Sequence, residues 1–260
     1  MRKIINLLSA LYIIVLIVAC TKKENNMPKE EIVLLEKVYK DGKLYLDIFY
    51  DKQHRINQID HYRDNGEIKS RRTIQLDENG KVKKVMMDFG NYVATNTMTY
   101  EDGRKVLQET IYEFIDGREP TYGKRAWKYP KANVIRDLLY SSGLETIGYT
   151  STFTFSESGN IVKKEREVSS HPQQNTYELY EYDKGISYEF MIESNIPGYA
   201  DVPIAKNQLL SRKVFKPDGE FVTEGEFRNT YDEKGYLVSY IYEYPGTKEE
   251  YRIEYKSVVK

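Results

Sequence analysis

The chain contains little cysteine, histidine or tryptophan, and neither sign of charge dominates. Its 260 residues include one Cys, three His and one Trp, and 39 basic residues stand against 40 acidic ones. A single Cys excludes an internal disulfide framework and any metal site built from several thiolates. A net charge of −1 lacks the basic excess typical of nucleic-acid binders, so we expect no nucleic-acid partner. The aromatic content of 13% is too high for a disordered chain.

Long apolar runs are also scarce, since only one is present and it lies at the N-terminus. Residues 4–19 are apolar except for Asn6 and Ser9, and they follow the basic pair Arg2 and Lys3. A helix over this run would span about 24 Å, which is shorter than the ~30 Å hydrocarbon core of a bilayer. A basic start, a short apolar run and a small final residue predict a cleaved signal peptide over 1–19.

Cys20 lies at the junction between this apolar run and a polar segment. It follows Ala19, and aliphatic Ile17 stands three residues before it. This arrangement resembles the lipobox of bacterial lipoproteins. The resemblance implies cleavage before Cys20, S-diacylglycerol on its sulfur and N-acylation (palmitate) of the new terminus. Two or three acyl chains anchor a protein stably, whereas one does not. The alternative is a buried Cys at the end of an uncleaved anchor.

Residues 20–30 lack apolar periodicity, and we interpret them as a flexible tether to the domain over 31–260. The familiar inner-membrane retention signal of the same lipoprotein family is Asp after the cysteine, and this chain has Thr21 there. The resemblance therefore implies a lipid-anchored location in the cell envelope, with the outer membrane favoured over the inner membrane.

One short motif recurs through the rest of the chain: an aromatic or Leu residue, three mostly polar residues, Gly, any residue and an apolar residue. Its copies are Tyr62–Ile68, Leu76–Val82, Phe155–Ile161, Phe215–Phe221 and Tyr231–Leu237. Gly as the last residue of a four-residue turn predicts a type I turn in which Gly has a positive φ. A variant has His54 in the Gly position, and His is among the residues that tolerate this conformation.

The turns and the periodicity between them predict the fold class. Tighter hairpin turns are expected at Asp41–Gly42, Asp102–Gly103, Asp116–Gly117 and Asp183–Gly185, which brings the total to about ten. Between turns, apolar and polar residues alternate, as in half-buried strands. We therefore predict an all-β protein, an antiparallel meander of repeated β-hairpins with about a dozen strands, forming an open sheet or a barrel-like closure.

Two segments interrupt this pattern and are expected to be irregular insertions. Residues 118–148 include Trp127 and a predicted short helix with Val134, Leu138 and Leu139 on its apolar face. Residues 192–210 contain Pro197, Gly198 and Pro203 and are expected to form a long loop. A single domain with these insertions and a pair of subdomains are both compatible with the sequence.

The hairpin motifs that follow the lipobox resemble degenerate YD-type (RHS-like) repeats of bacterial surface proteins. The Tyr-Asp pair is intact only at 50–51, 182–183 and 231–232. MORN-like repeat lipoproteins are the alternative, although their regular period is not sustained here. Both resemblances imply a platform for interactions and neither implies a reaction.

Motifs of catalysis are not found, and we expect no enzymatic activity, no metal and no cofactor. Asp residues beside the turn glycines lack the dense oxygen pattern of a calcium loop. The three histidines, His54, His61 and His171, are expected to be exposed. Aromatic rows give the candidate binding face, whose residues are Tyr240, Tyr242, Tyr244, Tyr251 and Tyr255. Tyr is also a good strand residue, so a purely architectural role is the alternative.

The sequence thus predicts a non-enzymatic binding or scaffolding platform on the cell envelope. Its expected partners are the membrane, through the lipid anchor, and a glycan or a protein. The first alternative is an immunity- or antitoxin-like lipoprotein that neutralises an envelope toxin. The second is a glycan-active hydrolase, which would require two carboxylates in one cleft, near 118–148 or 192–210.

Overall fold

The structure is a computed structural model that describes residues 31–141, 145–200 and 202–259. Cys20, the predicted signal peptide and the predicted tether lie outside the described residues. Two compact units are distinguished. The large unit is Leu35–Tyr255, and the small unit consists of Met1–Leu34 and Lys256–Lys260, of which the described parts are extended strand ends.

The described residues form sixteen strands and one α-helix. The first eight strands are β1 Glu31–Lys40, β2 Lys43–Tyr50, β3 Ile56–Tyr62, β4 Ile68–Leu76, β5 Val82–Asp88, β6 Tyr92–Glu101, β7 Arg104–Phe114 and β8 Thr121–Lys131. The other eight are β9 Val134–Tyr140, β10 Ile147–Phe155, β11 Ile161–Val168, β12 Thr176–Ile186, β13 Asn207–Phe215, β14 Phe221–Tyr231, β15 Leu237–Tyr244 and β16 Thr247–Val259. Helix α1 is Tyr188–Asn195, and a short 3₁₀ turn is Pro172–Gln174.

Each strand pairs antiparallel with the next along the chain, and β1 and β16 are neighbours, so the sheet closes into a barrel. At the closure, the Asp41 amide donates to the Glu250 carbonyl at 2.7 Å, and Tyr39 donates to Glu254 at 3.0 Å. The predicted all-β antiparallel meander is confirmed, and closure removes the sheet edges that an open meander would expose. The described part of the chain has sixteen strands rather than the expected dozen.

The predicted turn chemistry is confirmed at the recurring motif. Gly66, Gly80, Gly159, Gly219 and Gly235 have φ between 78° and 93°. His54 has φ 61°, so its place in the motif has a backbone explanation. In the tight hairpins, Asp41, Gly42, Asp102 and Gly103 all have positive φ, as a type I′ turn requires.

The prediction of an irregular insertion with a helix at 118–148 is wrong, because this segment contains β8 and β9. Ile135, Asp137 and Leu139 lie on one face of β9, paired with Phe153, Ser151 and Tyr149 of β10. A charged residue in the middle of a buried face conceals the alternation in the sequence. Asp137 is tolerated there because Arg125 Nε donates to its Oδ1 at 2.7 Å.

The hairpin expected at Asp183–Gly185 is also wrong, since β12 continues to Ile186 through an irregular pairing with β13. Gly185 is needed here for space: a Cβ would lie 2.0 Å from the ring of Tyr231. The Tyr231 hydroxyl donates to Asp183 in the same place. The described residues of the other expected insertion, 192–210, comprise the second half of α1, loop residues 196–200 and 202–206 and the start of β13.

Candidate functional site: the interior of the barrel

Helix α1 and the loop after it pack against the inward-facing side chains of the barrel. The helix begins after Ser187, whose Oγ accepts a hydrogen bond from the Phe190 amide at 3.1 Å. Its buried side chains are Tyr188 and Ile192, followed by Ile196 directly after the helix. These three belong to one apolar cluster with residues of β1–β6, β15 and β16, including Leu35, Val38, Leu46, Ile48, Ile56, Ile59, Ile74, Val82, Val85, Met98, Leu237, Tyr240 and Ile253. We call these inward faces the apolar half.

Opposite charges fix the loop that follows α1. The carboxylate of Glu193 accepts from the Gly198 amide at 2.6 Å and from the Ala200 amide at 2.8 Å. The Lys105 ammonium donates to the Gly198 carbonyl at 3.1 Å and lies 4.2 Å from the centroid of the Trp127 ring. These contacts satisfy backbone groups that burial would otherwise leave without partners.

The inward face of β7–β14 is different, and we call it the polar half. Buried polar side chains lie on it, among them Gln108, Thr110, Asp137, Ser151, Glu178 and Gln208. Glu178 is the centre of a network: Arg212 Nε donates to it at 2.6 Å, Lys164 Nζ at 3.2 Å and the Tyr180 hydroxyl at 2.5 Å. Burial opposes ionisation of Glu178, but the Tyr180 hydrogen bond and the two cations outweigh it and lower the pKa of its carboxyl.

A cavity of about 320 Å³ lies between this network and the start of α1. We call it the aromatic cavity because five rings line it, those of Phe153, Tyr180, Tyr182, Phe227 and Tyr240. Its polar lining comprises Lys164, Ser187, Glu189, Asn207 and Gln208. This volume is at the small end of the range for ligand cavities, about 300–1,000 Å³.

Glu189 is the acidic residue of the described chain that lines the aromatic cavity. Burial raises the pKa of its carboxyl, and hydrogen bonds from its own backbone amide and from Tyr188 only partly offset this effect. A second cavity, of about 230 Å³, lies on the other side of the loop and is lined by Glu193, Lys105, Trp127 and Tyr129 among others. The two helix carboxylates therefore face different cavities.

The outer face of the barrel carries charges in the middle of its strands. On β11, Lys164 points inward, so its neighbours Lys163 and Glu165 point outward, where they form an ion pair at 2.7 Å. Equivalent outward pairs join Asp60 to Arg71, Lys213 to Glu224, Arg228 to Glu243 and Arg252 to Glu254. These pairs are distributed over β3–β4, β11 and β13–β16.

The candidate binding-face tyrosines lie on the inward faces of β15 and β16. Tyr240 is 6% exposed, and its ring stacks on Tyr251 at a centroid distance of 4.5 Å and on Tyr188 at 6.4 Å. Tyr242 and Tyr255 pack against the same apolar cluster, and Tyr244, at the end of its strand, is exposed. Of the five, Tyr240 lines the aromatic cavity. The sequence identified the row but not the side of the sheet on which it lies.

The expectation of exposed histidines is wrong for His61. Its ring packs edge-on against Tyr45 at 5.9 Å, and burial, reinforced by Arg72 and Lys69, lowers the pKa of its imidazole to about 3. Within the described residues, no group of three or more His, Cys, Asp or Glu is arranged to hold a metal ion. No helix in the described ranges is both long and apolar enough to cross a membrane.

Sequence reasoning missed Lys164, Glu178, Arg212, Glu189 and Gln208. Each is an ordinary polar residue in a strand or helix, and only the packing of α1 inside the barrel brings it together with the inward faces of β11, β12 and β13 around one space. One signal was available at α1: Ser187 precedes Tyr188, Ile192 and Ile196, an N-cap followed by an i, i+4, i+8 apolar row.

Comparison with known proteins gives the fold and no family. No protein-family model matches the chain, and no curated protein matches it. Among solved structures, it is similar to a porin-like protein from Bacteroides vulgatus ATCC 8482, with a TM-score of 0.54 and 10% identity over 85% of this chain and 98% of that one. A porin-like protein from Bacteroides uniformis ATCC 8492 gives a TM-score of 0.51 and 11% identity over 88% and 97%. Likeness at this level of identity concerns the fold alone.

Proposed function

We propose that this protein is a non-enzymatic, lipid-anchored protein of the bacterial cell envelope whose barrel stands in water and holds a small ligand in its interior. Cys20 carries the acyl chains, residues 20–30 are the tether, and the outer membrane is the favoured location. The binding platform predicted from the sequence is then the lumen, rather than an outward aromatic surface.

The observation that carries this proposal is the charged outer face. A barrel that crosses a bilayer presents an apolar band about 25 Å tall to lipid. Each Arg or Lys at the bilayer midplane costs about 2–4 kcal/mol in such a barrel. Here Lys163, Lys213, Arg228 and Arg252 are outward, ion-paired and at mid-strand positions. Their distribution favours water around the barrel and so supports the proposal that membrane attachment is through a lipid on Cys20.

The interior supports ligand binding. Among the described residues, α1 packs on the apolar half and the aromatic cavity lies beside the polar half. Concave sites with a mostly apolar lining and a few placed polar groups are the usual form of small-molecule sites.

The hydrolase alternative is not favoured by the geometry. A glycoside hydrolase needs two carboxylates about 5–9.5 Å apart on either side of one bond. Among the described residues, Glu189 and Glu193 line separate cavities, and the carboxylates of Asp137 and Glu178 are held in ion pairs. The immunity-like alternative stays a prediction from the sequence.

The test is the intact mass of the full-length protein beside its Cys20→Ala variant, with membrane fractionation of both. We expect the wild type to lack residues 1–19, to carry acyl mass and to partition with membranes. The variant should carry no acyl mass. Equal masses and equal partitioning for the two proteins would contradict the lipid anchor. A wild type that keeps residues 1–19 would contradict the predicted cleavage.

A further inference from the structure

The aromatic cavity contains a carboxylate that no cation of the described chain neutralises. The other interior carboxylates are matched: Asp137 by Arg125, Glu178 by Lys164 and Arg212, and Glu193 by two backbone amides. Glu189 receives hydrogen bonds from its own backbone and from its neighbour Tyr188, and it forms no ion pair with a described basic residue. Glu189 is partly buried, and removing a carboxylate from water without a cationic partner is costly, which favours a positively charged occupant.

The rings around Glu189 favour the same kind of occupant. Phe153, Tyr180, Tyr182, Phe227 and Tyr240 line the cavity, and aromatic faces attract cations that have been removed from water. Such rings combined with a carboxylate recognise organic ammonium groups, because the faces take the apolar body while the carboxylate takes the charge.

A second hydrogen-bond acceptor in the cavity indicates which kind of ammonium group the ligand carries. Gln208 lines the cavity and is 4% exposed, and its Oε1 has no hydrogen-bond donor among the described residues. A buried carbonyl oxygen without a donor costs about 1–3 kcal/mol. An ammonium that bears N–H groups can donate to both acceptors, whereas a quaternary ammonium cannot.

Lys164 is the cation that also lines the cavity. Its Nζ lies 3.2 Å from Glu178 Oε1 and 5.9 Å from the centre of the Phe153 ring. Lys164 thus shares the Glu178 carboxylate with Arg212, and it forms no ion pair with Glu189.

We propose that the aromatic cavity binds a protonated primary amine with an apolar or aromatic body, its ammonium group held by Glu189 and Gln208. This inference rests on the proposed function and specifies the class of its ligand.

The experiment measures binding by isothermal titration at pH 7 with three probes that differ only in their head group. They are 2-phenylethylammonium, (2-phenylethyl)trimethylammonium and 2-phenylethanol. We expect the full-length wild type to bind the primary ammonium at least tenfold more tightly than either of the others. Glu189→Gln should abolish this preference by weakening the ammonium at least tenfold, while the affinity for the alcohol changes less than twofold.

Two further variants serve as controls, one for the loss of a carboxylate outside the cavity and one for binding inside it. Glu181→Gln removes an exposed carboxylate from the outer face of β12 and should leave all three affinities unchanged. Ala205→Leu fills part of the cavity, and it should weaken every probe that binds there. Circular dichroism of each variant verifies that the barrel is folded.

The outcomes separate the inference from the proposed function. If the alcohol and the ammonium bind equally, and Ala205→Leu weakens both, the cavity holds ligands but the amine inference is wrong. If Glu189→Gln leaves the ammonium affinity unchanged, the assigned carboxylate is wrong. If no probe binds the wild type, the amine inference and the ligand-holding part of the proposed function are both overturned.

Discussion

The two halves of the barrel interior have the same strand geometry but differ in the side chains that they point inward. In the apolar half, aliphatic side chains of β1–β6, β15 and β16 pack against Ile192 and Ile196, and the space is filled. In the polar half, the Glu178 network and Gln208 border a cavity. Packing on one side positions α1, and the polar groups on the other side leave a space of defined chemistry. The comparison teaches that an apolar core and a cavity with polar groups lie on opposite walls of one lumen.

The largest effect is expected in the apolar half. Ile196→Ala should lower the free energy of unfolding by about 2–5 kcal/mol, because this fully buried side chain leaves a cavity where α1 meets the barrel. Urea unfolding followed by circular dichroism measures this loss. The matched control is Ile111→Ala on the outer face of β7, where Ile111 is 39% exposed and the cost should be below about 1 kcal/mol. Equal losses of unfolding free energy in the two variants would contradict the placement of Ile196 inside the barrel and of Ile111 on its outer face.

A smaller effect is expected when the network of the polar half is broken. Glu178→Gln removes the charge shared by Arg212, Lys164 and Tyr180 and should cost about 1–3 kcal/mol at pH 7. Arg212 and Lys164 are partly exposed, so water compensates some of the loss. Glu181→Gln on the outer face of the same strand is the control, with a change below about 0.5 kcal/mol.

The same variant has a pH dependence of predictable sign. The folded protein lowers the pKa of Glu178, so its ionised form contributes stability at pH values above the unfolded pKa. That contribution is lost as the pH falls through the folded pKa. The difference between wild type and Glu178→Gln should therefore shrink on acidification below about pH 4.5. A difference that grows on acidification would contradict the network.

The smallest change in stability is expected for a substitution in the polar half that should weaken ligand binding without destabilising the fold. Gln208→Met keeps the volume of the side chain and removes an acceptor that has no donor among the described residues. We expect the free energy of unfolding to stay constant or to rise by up to about 1 kcal/mol. The affinity for 2-phenylethylammonium should fall at the same time. A loss of stability above about 1 kcal/mol would mean that Gln208 is structural and would remove it from the site.

Features that depend on residues close together in the chain could be predicted from the sequence, whereas features that depend on contacts between distant residues could not. Turn positions such as Gly66 and Gly235 are local, since backbone conformation alone selects the residue, and they were predictable. The β8–β9 hairpin was not, because Asp137 occupies an inward position that only Arg125, twelve residues away, makes acceptable. Closure depends on contacts between Asp41 and Glu250, which no local pattern contains. The cavity depends on where α1 packs inside the barrel, and no local pattern in the sequence predicts that position.

Water around the barrel is the central claim, and paired cysteine labelling tests it most directly. Thr97→Cys and Thr152→Cys place a thiol on the outer face, whereas Asn96→Cys and Ser151→Cys place it on the adjacent inward position. A membrane-impermeant maleimide is added to membranes that contain each full-length variant, and labelling is read by mass. The account predicts rapid labelling at Thr97 and Thr152 and slow labelling at Asn96 and Ser151. The reverse pattern, protected outward thiols and reactive inward ones, would show a barrel embedded in lipid and would contradict the account.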